Sequence, residues 1–197
     1  MRALVTAFEA FGGADVNASC AAVSRLPARI AAIEIVAAQL PTSYARAGAV
    51  LVRAIERADP QIVLCVGEAG ERRQLNVERV AVNLQDARLA DNDGAQPVDT
   101  PVAGNGPAAY FATLPVRAIY DALVAAQLPA TLSSSAGTFV CNHAFYALMH
   151  HAAQSRAQWR GGFLHVPAWR ENDDAPPMTL EDIVRGITVA IEASAVH

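Results

Sequence analysis

Short apolar runs alternate with longer stretches of helical period along most of the chain, and that alternation leaves few folds open. Arg2 to Ala7, Ile33 to Ala38 and Gln61 to Val66 read as buried strands. Between the last two, Ser43 can cap a helix reaching about Ala58, whose Ala47, Leu51, Ala54, Ile55 and Ala58 fall on one face. Asp59 and Pro60 then stop it. The pattern continues with a strand over Glu78 to Leu84, a helix over Val116 to Ala126 and a strand over Ala130 to Ser135. A helix from near Cys141 to about Arg156 follows, then a strand over Gly162 to Val166 and a last helix from Thr179 to about Ala193, opened by the capping sequence TLED. Strands spaced by helices predict an α/β fold with a mixed, mainly parallel sheet. With no internal repeat or low-complexity linker, the 197 residues are expected to form one three-layer domain over 1–197. Gln85 to Pro107, rich in Asp, Asn, Gly and Pro, is too long for an idle connection.

Composition narrows the chemistry. A 53% hydrophobic and 17% charged chain has material for a core and too little charge for disorder. A net charge of −4 argues against nucleic acid as a partner. All 15 basic residues are Arg, which removes Schiff-base and pyridoxal chemistry and the Walker A phosphate loop. Cys20, Cys65 and Cys141 are widely separated and form no C-x-x-C, which suits a reducing compartment and opposes a disulfide scaffold. Glu9 interrupts the apolar start before a signal peptide can form, and no apolar run reaches bilayer length, so a cytoplasmic protein without membrane contact is expected. GEAGER lacks the dinucleotide fingerprint, H-E-x-x-H is absent, and His143 and His150 lie about 10 Å apart along one helix, too far for one ion. No metal and no cofactor is expected.

What remains is the material of a cysteine hydrolase: a thiol, an imidazole and a carboxylate, of which Glu78 is the best placed. In GTFVCNHAFYALMH, Cys141 follows a Gly-containing turn and opens an amphipathic run. The start of a helix there would lower the thiol pKa, and its free amides could hold an oxyanion. A cysteine at such a place is more often a small buried hydrophobe. Position nevertheless ranks it above Cys65, inside the strand QIVLCV, and Cys20, on a bland helix. His143 sits two residues along the helix and points away, and His150 and His151 lie further on. His165, in GGFLHVP at the C-terminal end of a strand, is the natural base, although a histidine beside a proline is as often a turn residue. Phe8 and Phe11 stand three residues apart beside the glycines of FGG, which favours a loop pocket over a strand core.

TAFEAFGGADVNAS, GEAGER, ERVAVNLQDARLADNDGAQPVD, GPAAYFATLP, AGTFVCNHAFYALMH and GFLHVP, in this order, resemble the segments of the pyrrolidone carboxyl peptidases, the pyroglutamyl peptidase I family of cysteine peptidases. The resemblance implies a single α/β/α domain of phosphorylase/hydrolase-like type and a homotetramer. It implies Cys141 as nucleophile, His165 as general base, Glu78 as the third member and Arg88 at the oxyanion. Phe8 and Phe11 would hold a lactam ring, with Asn17 as a polar partner, Leu89, Phe139 and Val140 as apolar walls and Glu68 acting through its backbone. The implied activity is removal of an N-terminal L-pyroglutamyl residue from peptides through a thioacyl enzyme, without cofactor. A cysteine amidase or esterase on other small lactam or acyl groups, or a silent relative that only binds pyroglutamyl ends, would share much of this set. Retention of all three catalytic residues speaks against the silent relative. Ala7, Ala10, Glu71 and Ala90 depart from the family pattern, and Glu71 would be strained if the glycine usual there needs a positive φ.

Overall fold

The elements of the computed structural model, in chain order, are β1 (Arg2–Phe8), α1 (Ala18–Val23), β2 (Arg29–Ile30), β3 (Ile33–Leu40), α2 (Ala47–Ala58), β4 (Ile62–Glu68), β5 (Leu75–Glu78), β6 (Val80–Val82), β7 (Ala109–Phe111), α3 (Val116–Ala125), β8 (Ala130–Ser133), α4 (Val140–Ser155), β9 (Arg160–Val166) and α5 (Leu180–Val196). Residues 1–171 and 173–196 are described; Asn172 and His197, both inside the expected 1–197 domain, lie outside the described residues.

Seven strands form one sheet in the order β2-β3-β1-β4-β9-β5-β8. The central β3, β1, β4 and β9 run parallel, β2 is antiparallel to β3, and β5 is antiparallel to β9 and parallel to β8. Period-2 alternation sends the side chains of each central strand to two cores. Ala3, Val5, Ile62, Leu64, Val66 and Leu164 pack with α1, α3 and α5 on one face. Leu4, Phe8, Val63, Cys65 and Phe163 pack with α2 and α4 on the other, completing the three layers.

Two expectations are adjusted. Glu78 to Leu84 is not one strand: β5 belongs to the main sheet, and β6 pairs with β7 in a second, two-stranded sheet. Arg79 is the point of exchange, its N–H donating to the Ser133 carbonyl at 2.9 Å and its own carbonyl accepting from Ala112 N–H at 3.0 Å. The extended backbone survives the exchange because both of its polar groups stay satisfied. α2 begins at Ala47 rather than Ser43, whose carbonyl accepts the Ala47 N–H at 2.9 Å; at the far end Asp59 caps the helix in the left-handed region, as expected of a stop there.

The long segment 85–107 is ordered by its own turn chemistry. The buried Asp91 accepts from the backbone of Tyr44 at 2.8 Å through one oxygen, and of Asp93 and Ala95 through the other. Arg46 forks onto Asp93 with two bonds of 2.7 Å and, together with the Ser43 hydroxyl, holds that carboxyl near pKa 2. The segment is thereby pinned to the start of α2, beside the pocket described next.

Candidate active site

Cys141 is the second residue of α4. The helix is preceded by Phe139 in extended conformation, and no side chain caps its first amides. Asn142 fixes this turn from the other side. Its side-chain oxygen accepts the Val82 N–H at 2.9 Å and its amide donates to the carbonyls of Val82 and Leu84, both at 3.0 Å.

His165 stands near the end of β9 on the face that packs against α2 and α4, directly opposite Gly67 of β4 and Asn76 of β5. Gly67 has no side chain, and the Cys141 sulfur takes the space one would fill: a Cβ there would lie 2.8 Å from Sγ and 2.8 Å from the Phe163 ring. Cys141 is thus seated over the strand residue that is ladder partner to His165.

Glu78, at the end of β5, is fully buried, and its Oε1 accepts from His165 Nδ1–H at 2.8 Å. That bond leaves Nε2 as the nitrogen free to take a thiol proton. The same Oε1 accepts from Arg72 Nη1 at 2.5 Å, whereas Oε2 is buried without a hydrogen-bond partner. Burial, reinforced by the Glu78 charge, pushes the Cys141 thiol up to about 12. Burial also pushes His165 down, against the pull of Glu78 and with a small assist from Arg72. The expectation of a thiol lowered by its helix is therefore corrected: burial acts the other way, pushing the Cys141 thiol up and the His165 imidazole down, each toward its neutral form.

A cavity of about 200 Å³ opens at Cys141 and His165. Phe8, Phe11, Asn17, Glu68, Phe139 and Val140 all line it, together with Arg72. Phe11 and Phe139 lie with ring centroids 5.8 Å apart, and Tyr44 meets Phe139 edge-on at 5.7 Å. Asn17 caps α1: its Oδ1 accepts from Ser19 N–H at 2.9 Å and its amide donates to the Glu9 carbonyl. Glu68 is buried and enters through its side chain as well, held bidentately by Arg170 at 2.8 and 3.0 Å while accepting the Ala18 N–H.

Arg88 and Leu89 are placed elsewhere. They line an adjoining recess of about 430 Å³ that shares Phe11, Glu68 and Phe139 with the first cavity. The Arg88 side chain is 83% exposed and faces Glu71 at 3.8 Å. Solvation of the guanidinium holds it outward, so the structure does not bring Arg88 to Cys141. Glu71 has no positive φ and carries no backbone strain. His143 is also outside the site, its Nδ1 bonded to the Gln85 side chain at 2.9 Å and its proton affinity lowered to about 4 by burial.

Gly67, Arg72 and Arg170 were not singled out from the sequence. Gly67 had a readable signal, a glycine closing the otherwise apolar run IVLCVG. The two arginines are joined to the site only by tertiary contacts.

Among the described residues no three His, Cys, Asp or Glu side chains come together as a metal set. A thiol at a helix start, beside a buried Glu–His pair formed where β5 runs antiparallel to the end of β9, is the constellation of a cysteine hydrolase. The comparisons carry this to a family. A family profile described as pyroglutamyl peptidase matches residues 1–197, and the chain belongs to that family, the C15 cysteine peptidases. It is 49% identical to the pyrrolidone-carboxylate peptidase of Gloeobacter violaceus, over 98% of this chain and 96% of that protein. It is 45% identical to the one from Alkaliphilus oremlandii, over 98% and 93%. The crystal structure of Bacillus amyloliquefaciens pyroglutamyl peptidase I superposes with a TM-score of 0.93 at 40% identity, covering 100% of this chain and 97% of that one. The pyrrolidone carboxyl peptidase of Thermococcus litoralis gives 0.92 at 36% identity, with 99% and 93% covered.

Proposed function

We propose that the protein is a cysteine exopeptidase that removes an N-terminal L-pyroglutamyl residue from peptides, with Cys141, His165 and Glu78 as its catalytic residues. The observation that carries this reading is the 2.8 Å bond between the buried Glu78 and His165, which lines one pocket with Cys141. As Sγ attacks the pyroglutamyl carbonyl carbon, Nε2 of His165 takes the thiol proton. The oxyanion falls to the uncapped amides of α4, a donor of this kind contributing roughly 3 kcal/mol to the barrier. The tetrahedral intermediate collapses with the C–N bond breaking, and His165 passes its proton to the departing amine. Water, deprotonated by His165, then cleaves the thioester and releases pyroglutamate, restoring the neutral thiol.

A pyroglutamyl ring is small, flat and uncharged, and it suits the aromatic walls of Phe8, Phe11 and Phe139. Its N–H and C=O need partners once desolvated, and the remaining amide N–H of Asn17 with nearby backbone groups supplies them. In this reading residues 1–197 are one domain, the protein works in the cytoplasm, and four chains assemble. Among the described residues no helix is long and apolar enough to cross a membrane, which accords with that location.

The test is turnover of a pyroglutamyl fluorogenic amide beside prolyl and simple acyl amides, before and after iodoacetamide. Cleavage of the pyroglutamyl amide alone, abolished by alkylation, is expected. A preference for the acyl amide would replace this reading with a general amidase, and a folded, inert protein that still binds the lactam would make it a binding relative. Light scattering of the purified protein checks the tetramer.

A further inference from the structure

The geometry points to Arg72 as a positioning residue of the catalytic apparatus: its guanidinium takes the same Glu78 oxygen that orients His165 and ties that oxygen to the wall of the substrate pocket. The inference rests on the reading of His165 as the base. Arg72 follows β4, in a turn closed by its own N–H on the Ala69 carbonyl at 3.0 Å. Nη1 reaches Glu78 Oε1 at 2.5 Å and Nη2 reaches the Ser135 carbonyl at 2.7 Å. Ala136 and Gly137, next in the chain, line the cavity. One planar cation therefore links the carboxylate behind the base to the loop that leads into α4.

Charge balance gives this contact its consequence. The groups around the imidazole are Glu78 from β5, Arg72 from the turn after β4, the neutral thiols of Cys141 on α4 and Cys65 on β4, and Glu68, whose charge is matched by Arg170. With Arg72 in place the Glu78 oxygen that holds His165 also has a cationic partner, and the guanidinium, like burial, favours the neutral imidazole that can accept a proton. Without it the site would hold a buried, uncompensated carboxylate, a state relieved most directly by protonating His165. The Glu78 charge sits almost wholly against donors at Oε1, since Oε2 has none, so imidazole and guanidinium share one acceptor. Arg72 thus tempers the pull of Glu78 while leaving the orienting bond intact. An arginine suits this role because it stays charged at any working pH and its fork spans two acceptors.

The sign follows. Loss of the cation raises the proton affinity of both His165 and Cys141, so both limbs of the pH–activity profile move to higher pH. The experiment is the pH dependence of kcat/KM on a pyroglutamyl amide for wild type, R72K and R72Q, with folding checked by circular dichroism. For R72Q we expect about a hundredfold loss at pH 7, an acid limb about one unit higher, and partial recovery in alkali. R72K keeps the charge but is too short to span to Ser135, so the wild-type limbs should remain with a loss of about fivefold. A uniform loss in R72Q across the profile, with the limbs unmoved, would overturn the inference and leave Arg72 as a loop tether. If R72Q does not fold, the imidazole ¹⁵N spectrum of wild type and R72K decides: a neutral ring protonated at Nδ1 is expected at pH 7, and an imidazolium in the wild type would refute the charge balance. A wild type inert towards the amide would refute the proposed function instead, and the ¹⁵N result would still judge Arg72.

Discussion

Two helices begin at the substrate cavity, and their first turns are built in opposite ways. At α1, Asn17 accepts the Ser19 N–H and the Glu68 carboxylate accepts the Ala18 N–H at 2.6 Å, so the turn is closed by side chains and by a negative charge. At α4 the preceding residue is Phe139, whose side chain has no acceptor, and the first amides lack any side-chain cap. One helix start holds the pocket wall; the other leaves its first donors without a side-chain acceptor, and the proposed mechanism uses them for the oxyanion. Whether the capping residue carries an acceptor separates a structural turn from a reactive one.

The steepest way to break the contrast is at the reactive turn. Cys141→Ser or His165→Ala should cost a factor of about a thousand or more in kcat with the fold intact, measured with a pyroglutamyl amide. Cys65→Ser should keep turnover, and equal loss there would mean the wrong thiol has been chosen. Gly67→Ala comes next. Its Cβ would lie 2.8 Å from both Sγ and the Phe163 ring, so kcat should fall about ten- to a hundredfold, with roughly 1–3 kcal/mol lost in a urea titration. At the structural turn, Asn17→Ala removes the cap of α1 and should cost about 1 kcal/mol of stability, raising KM more than it lowers kcat. The smallest effect is expected at Arg88→Ala. If the α4 amides suffice for the oxyanion, kcat changes less than about threefold, whereas a hundredfold loss would show that this exposed side chain turns inward during turnover.

The three residues proposed as catalytic are legible in the sequence because each sits where backbone regularity places it. Cys141 opens a helix, His165 closes a strand, and Glu78 lies on the same face as His165 through the alternation of β5, whose Leu75 and Val77 point to the opposite core. The alternation from Glu78 to Leu84 predicts one continuous strand because alternation reports extended backbone, not which strand pairs with it; the change of sheet at Arg79 leaves no mark on that pattern. Arg88 and Leu89 lie in the long segment, where side-chain direction is set by local turns and solvent. Arg72 shows no periodicity at all, and only the approach of β5 and the 133–137 loop gives it partners.

The pairing of Gly67 with His165 in the β4–β9 ladder carries one more consequence. The sulfur is carried by α4 and rests on Gly67, the ladder partner of His165, so its place beside the imidazole depends on the packing of that helix on the sheet rather than on a mobile loop, and it holds until that core comes apart. Heat should therefore not blunt this active centre gradually. Turnover is expected to climb with temperature up to the melting of the central strands, and the loss of activity and of near-ultraviolet ellipticity should then fall on one curve.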